Sequence, residues 1–75
     1  MDDRLVQCFQ AVFPNLTEAE VRAASTATTG AWDSVAAITL VSVIEEEFSV
    51  QIDFEVLPQL TSFALVRDYL SSLHA

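Results

Sequence analysis

The side chains able to do chemistry are few, and their spacing sets them apart. The one histidine, His74, stands next to the last residue, where chain ends fray. The one cysteine, Cys8, lies in an apolar-periodic segment, far in sequence from any base, and reads as a small hydrophobe. A single cysteine also excludes an internal disulfide. A chain with one glycine has no glycine-rich phosphate loop. No Cys/His cluster has zinc spacing, and no acidic run follows the Asp-x-Asp-x-Asp-Gly order of a calcium loop. No nucleophile can be paired with a base, so catalysis by this chain is not expected. One hydroxyl stands out, that of Ser34 in "WDSV".

Serine is common at helix starts because its oxygen can cap a free backbone amide. On position alone that would explain Ser34. Asp33 immediately precedes it, however, and is the better cap, which leaves the Ser34 hydroxyl spare. A phosphate attached there would face free backbone N–H groups and the positive end of a helix. The position suits a phosphodiester. With no internal base to activate it, Ser34 would need an enzyme acting in trans.

The elements that must hold this serine follow from apolar periodicity. In "DDRLVQCFQAVFP" the apolar positions 5, 6, 9, 12 and 13 fit one helical face. Asp2 and Asp3 are expected to cap that helix and favour its positive end, and Pro14 stops it. Thr17 and Glu20 have capping-box spacing, predicting a short helix over 18–24. Residues 25–32 read as loop. The helix that follows is predicted from Ser34 to about Glu47. Its stripe is Ala37, Leu40, Val41, Ile44 and Phe48. In "VQIDFEVLPQL" residues 50, 52 and 54 alternate like a strand but have no partner strand. An extended loop with a helical turn near 53–57, capped by Asp53 and ended by Pro58, is the preferred reading. Ser62 caps a last helix whose stripe is Phe63, Val66, Leu70 and Leu73. Three main helices and one or two short ones can bury their stripes only against each other. The expected class is a small all-α bundle.

Composition narrows the partners. The 75 residues make one domain at most, with a core worth a few kcal/mol net, roughly 3–5. Eleven acidic residues against three basic give a formal net charge of −8, and lysine is absent. Phosphate backbones and anionic membranes are poor matches for such a surface. A protein with a basic patch is a better one. The start "MDDRLVQ" lacks the apolar region of a signal peptide, and no run approaches the ~20 apolar residues of a membrane span. A soluble, cytoplasmic domain is expected.

The stripe of the Ser34 helix leaves Val35 and Ile38 unexplained. They lie roughly 160° and about 100° from its centre, at 100° per residue. With Ser34, Ser42, Glu45 and Glu46 they make a second face, apolar near the helix start and acidic near its end. Neighbouring loops could cover it, or it could be a docking surface with a charged rim, and periodicity leaves both open. The run "EEE" at 45–47 stands where the helix dipole disfavours anions, by roughly 0.3 kcal/mol or more each. That placement favours a role outside stability.

These residues resemble a family. The stretch "WDSVAAITLVSVIEEEFSVQIDFEVLPQLTSFALVRDYL" is similar to acyl carrier proteins of the freestanding type. The resemblance rests on Asp-Ser before an aliphatic residue, an apolar helix ending in "EEEF", the β-branched "VQI", and "LTSF" leading to "DYL". It implies a four-helix bundle with a short third helix. It implies 4′-phosphopantetheine on Ser34, within the Asp33–Ser34 motif, installed from coenzyme A by a phosphopantetheinyl transferase. Acyl groups would ride as thioesters on the arm. Val35, Ile38, Ser42, Glu45 and Glu46 match the family's docking helix for acyl-loading and acyl-processing enzymes. The core stripe would border a cavity that sequesters acyl chains in some carriers. Such a carrier is expected to work as a monomer. Val35 replaces the usual leucine, Gly30 lies three residues before Asp33 instead of two, lysine is missing, and Pro58 shortens the third helix. "WDS" resembles carriers of polyketide and other specialised pathways more than the housekeeping fatty-acid carrier. The competing expectations are a fatty-acid or peptidyl carrier, and an acidic helical interaction module without a prosthetic group.

Overall fold

The structure, a computed structural model, describes residues 2–74, with side chains through residue 73. Five helical segments follow one another. They are α1 (Asp2–Val12), α2 (Glu18–Arg22), α3 (Ser34–Phe48), a 3-10 helix (Phe54–Gln59) and α4 (Phe63–His74). Among the described residues there is no strand, only an isolated antiparallel bridge between Ser25 and Ser62. The chain is all-α, as its periodicities predict.

Local signals explain most helix ends. Thr17 caps α2 through a complete capping box, its oxygen accepting from the Glu20 N–H while the Glu20 carboxylate accepts from the Thr17 N–H. Asp33 caps α3 by accepting from the Ala36 N–H at 2.9 Å. Ser62 accepts from the Leu65 N–H at the start of α4. Asp2 and Asp3 meet the expectation in charge but not in capping. They lie within the first turn of α1 and act there by charge, not as caps. α2 ends at Arg22 instead of residue 24, because the next residues are drawn into the bridge, where Thr26 N–H donates to Thr61 O and Phe63 N–H to Ala24 O. Pro58 does not end the 3-10 helix but lies inside it. In so short a segment the missing amide forfeits at most one bond, and Leu60 N–H still closes on Leu57 O.

The buried residues form one cluster drawn from every α-helix and the loops between them. α1 packs against α3 and α2, and α2 against α4. Phe9 is the hub. Its ring meets Trp32 edge-on at 5.3 Å, Phe63 edge-on at 5.2 Å, and Phe13 tilted at 6.3 Å. Such pairs add about 0.5–1.5 kcal/mol each beyond their buried area. The α3 stripe is as predicted, with Leu40, Val41, Ile44 and Phe48 buried and Ala37 half-buried. In α4, Phe63, Val66 and Leu70 are buried, but Leu73 is 42% exposed, because the helix runs on past the core. The helix continues to His74, whose side chain lies outside the described residues.

Candidate functional site

Ser34 is the first residue of α3, and its side chain is exposed. Asp33 takes the capping bond, so the hydroxyl beside it has no hydrogen-bond partner among the described residues. The Ser34 and Val35 amides belong to the first turn, which has no acceptor within its own helix. An exposed hydroxyl thus stands among donors at the positive end of a 15-residue helix.

Beside it opens a cleft of about 410 Å³. Ser34, Ala37 and Ile38 of α3 form one wall, and Leu57, Pro58 and Leu60 form the other. Trp32 and Asp33 line the end near the α3 start, with Thr26 and Thr61 also on the wall. The walls are thus mostly apolar, with polar groups at the loops. Behind the cleft, enclosed by Leu40, Val41, Ile44 and Val66 among others, the interior leaves only about 10 Å³, no more than one water-sized sphere. Trp32, Ala37, Leu57 and Leu60 border both spaces and separate them. The 3-10 helix over this boundary buries none of its own residues, and its Phe54 is 66% exposed.

Trp32 anchors the loop before Ser34. Its side chain is only 4% exposed and packs on Phe9 and Phe13. Its Nε1–H is buried and has no hydrogen-bond partner among the described residues.

The second face of α3 is open. Val35 is 74% exposed and Ile38 48%. Ser34, Ile38, Ser42 and Glu46 recur at every fourth position, and all are exposed, making one ridge along the helix. The Ser42 hydroxyl donates to Ile38 O and the Thr39 hydroxyl to Val35 O, so both are turned back onto their own backbone.

The three glutamates are not equivalent. Glu45 is half-buried and accepts from the Ile52 N–H at 2.7 Å, tying the loop after α3 to its last turn. Glu47 pairs with Arg4, whose Nε stands 3.1 Å from Oε1. Arg4 also donates to Glu47 O at 2.6 Å and lies over the Phe48 ring at 4.7 Å. Its cation therefore sits at the helix end where the dipole favours it. Only Glu46 has no partner among the described residues. The placement of the run favours a role outside stability, yet only Glu46 is left for one. Two of the three glutamates hold the end of α3.

All three arginines gather around the first turn of α1. Arg4 belongs to it, and Arg22 and Arg67 both reach Asp2, at 3.5 and 3.9 Å. Arg22 also meets Asp3 and Glu18. Since Ser34 and Glu47 are thirteen residues apart on one helix, at 1.5 Å each, Arg4 is held roughly 20 Å from the Ser34 end. The cleft has no cationic side chain on its walls.

Cys8 is buried in α1, and desolvation, with the nearby Glu47 charge second, pushes its thiol pKa up. That makes it a poor nucleophile. No group of three or more His, Cys, Asp or Glu side chains is placed to hold a metal ion among the described residues. No helix among them is long and apolar enough to cross a membrane. Comparison of the chain with protein-family profiles, curated proteins and solved structures gives no significant match.

Proposed function

We propose that the chain is an acyl carrier protein, a small four-helix carrier whose tether point is Ser34. The observation that carries this reading is the exposed, unbonded Ser34 hydroxyl on the first turn of α3, relieved of capping by Asp33, at the mouth of an apolar cleft. The residues present fit a 4′-phosphopantetheine arm. The phosphodiester would meet the open first-turn amides, and the arm has an adjacent cleft of suitable size to lie against. When attached, the arm supplies a thiol that holds acyl groups as thioesters. The chain's own residues then orient the attachment point and present a surface to the enzymes that act on the cargo.

That surface is the ridge of Ser34, Ile38, Ser42 and Glu46 with Val35 beside it. Exposed apolar side chains near the tether and free acid further along suit enzymes with a basic docking patch, including the transferase itself. Glu45 is the weaker docking candidate, because its carboxylate is already engaged by Ile52. The space behind the cleft, about 10 Å³, has no room for an acyl chain as it stands. Cargo either lies in the open cleft or lifts the shallowly seated 3-10 helix.

Intact mass spectrometry after incubation with coenzyme A and a phosphopantetheinyl transferase tests the reading. The mass should rise by one arm, and Ser34→Ala should abolish the rise. No increase, or one that survives the substitution, removes the carrier reading. The exposed Val35 and Ile38 would then support an acidic interaction module, whose partner binding would ignore Ser34→Ala but fail on Ile38→Glu.

A further inference from the structure

Resting on the assignment of Ser34 as tether point, we propose that the Trp32 indole Nε1–H is the polar anchor of the cleft, donating to a carbonyl oxygen of the tethered group. A buried donor without an acceptor is costly, and native structures leave few of them. Trp32 is such a donor, and it lines the cleft that opens at Ser34. The interior space behind it is too small for anything beyond a single water. The N–H itself is buried from solvent, so a larger group meets the indole only where the boundary of Trp32, Ala37, Leu57 and Leu60 between the cleft and that space opens. The indole N–H can only donate, so the group it takes must offer an acceptor. Most of the lining is apolar, Ala37, Ile38, Leu57, Pro58 and Leu60, with Thr26, Thr61, Asp33 and Ser34 at the loops and the helix start, which fits a chain bearing an isolated carbonyl better than a charged one. The nearest carboxylate in sequence, Asp33, already accepts from Ala36.

The carbonyl has two sources, an amide of the arm or an oxo group of the cargo. Trp32 is the only tryptophan, so the isotope-labelled chain gives one indole resonance. That resonance is recorded for the unloaded chain, the chain bearing the bare arm, and chains loaded with octanoyl and β-keto-octanoyl groups. Intact mass confirms loading in each case. A downfield move with slower solvent exchange is expected on loading. If it is present with the bare arm, the arm's amide is the partner. If it needs the β-keto cargo, the cargo is. An indole resonance unchanged in position and exchange rate in every fully loaded form overturns the proposal. Should the mass show that Ser34 takes no arm, the tether reading fails separately. The indole is then tested with free pantetheine and octanoyl-N-acetylcysteamine at millimolar concentration. A downfield move keeps the donor assignment, and an unmoved resonance overturns it.

Discussion

Replacing Glu45, Glu46 and Glu47 one at a time with alanine should give three different stabilities. Glu45 is half-buried and accepts a 2.7 Å bond from the Ile52 amide. Hydrogen bonds to charged groups contribute about 1.5–3 kcal/mol, and partial exposure places this one near the lower end, about 1.5. At about 4–8 °C per kcal/mol for a domain this size, Glu45→Ala should lower Tm by roughly 6–12 °C. Glu45→Gln keeps an acceptor without the charge and should recover about half of the loss. Glu47→Ala removes only the exposed pair with Arg4, worth about 0.2–1 kcal/mol. The Arg4 bond to the residue 47 carbonyl survives it. Glu46→Ala removes an unpartnered anion near the helix C-terminus and should be neutral or stabilising by about 0.3 kcal/mol. Urea unfolding followed by the fluorescence of Trp32 measures all four variants on one scale. The reasoning is refuted if Glu46→Ala costs as much as Glu45→Ala, or if Glu45→Ala leaves the midpoint in place. The same logic makes Glu46→Lys the clean test of docking, since it should weaken partner association without loss of stability.

Three further outcomes are expected. Ser49 closes α3 in the left-handed region at φ 54°, where a side chain costs roughly 1 kcal/mol. Ser49→Gly should raise stability by about that amount in urea unfolding, and a loss would show that the serine side chain contributes more than its backbone costs. Cys8 should resist a thiol reagent in the native chain and react only on unfolding, because it is buried with a raised thiol pKa. Labelling of the native chain at the rate of a free thiol would contradict that packing. The Glu20 pKa is lowered first by the Thr17 N–H it accepts from and then by the Thr17 side chain. Its contribution is therefore present above the ordinary glutamate range and lost as pH falls through the lowered folded value. The stability gap between the native chain and Glu20→Gln should narrow on acidification from about pH 6 to about pH 3. A gap that widens reverses the sign of the linkage.

What the sequence discloses about this molecule is local. The Thr17 and Glu20 box, the Asp33 cap and the Ser62 cap each involve residues within three positions, and each forms. The α3 stripe is equally legible because one helix sets its own period. The spare hydroxyl of Ser34 follows from two adjacent residues and is seen in the structure. The misses are contacts between distant segments or ends set by the size of the core. Arg4 reaches Glu47 across 43 positions, and no periodicity announces it. The Ser25–Ser62 bridge joins two segments too short to read as strands. Leu73 has the right phase for the α4 stripe, yet it stays 42% exposed, since phase fixes direction and not how far the core extends. The orphaned Trp32 N–H is invisible in sequence for a similar reason. Burial of the ring is foreseeable, but the acceptor that fails to appear depends on every segment around it.

The placement of Ser34 on a helix, with Ile38, Ser42 and Glu46 following at intervals of about 6 Å, has a kinetic consequence. A partner that grips this ridge also fixes the origin of anything tethered at its head. The uncertainty in where the cargo lies is then that of the tether alone, with no loop motion added. For a short flexible tether the cargo's effective concentration at a neighbouring active site is on the order of millimolar. A weak grip on the ridge is enough to reach it, and a weak grip releases quickly. If Ser34 carries the proposed arm, one rigid helix face would let a small acidic protein combine high local supply with rapid exchange between partners.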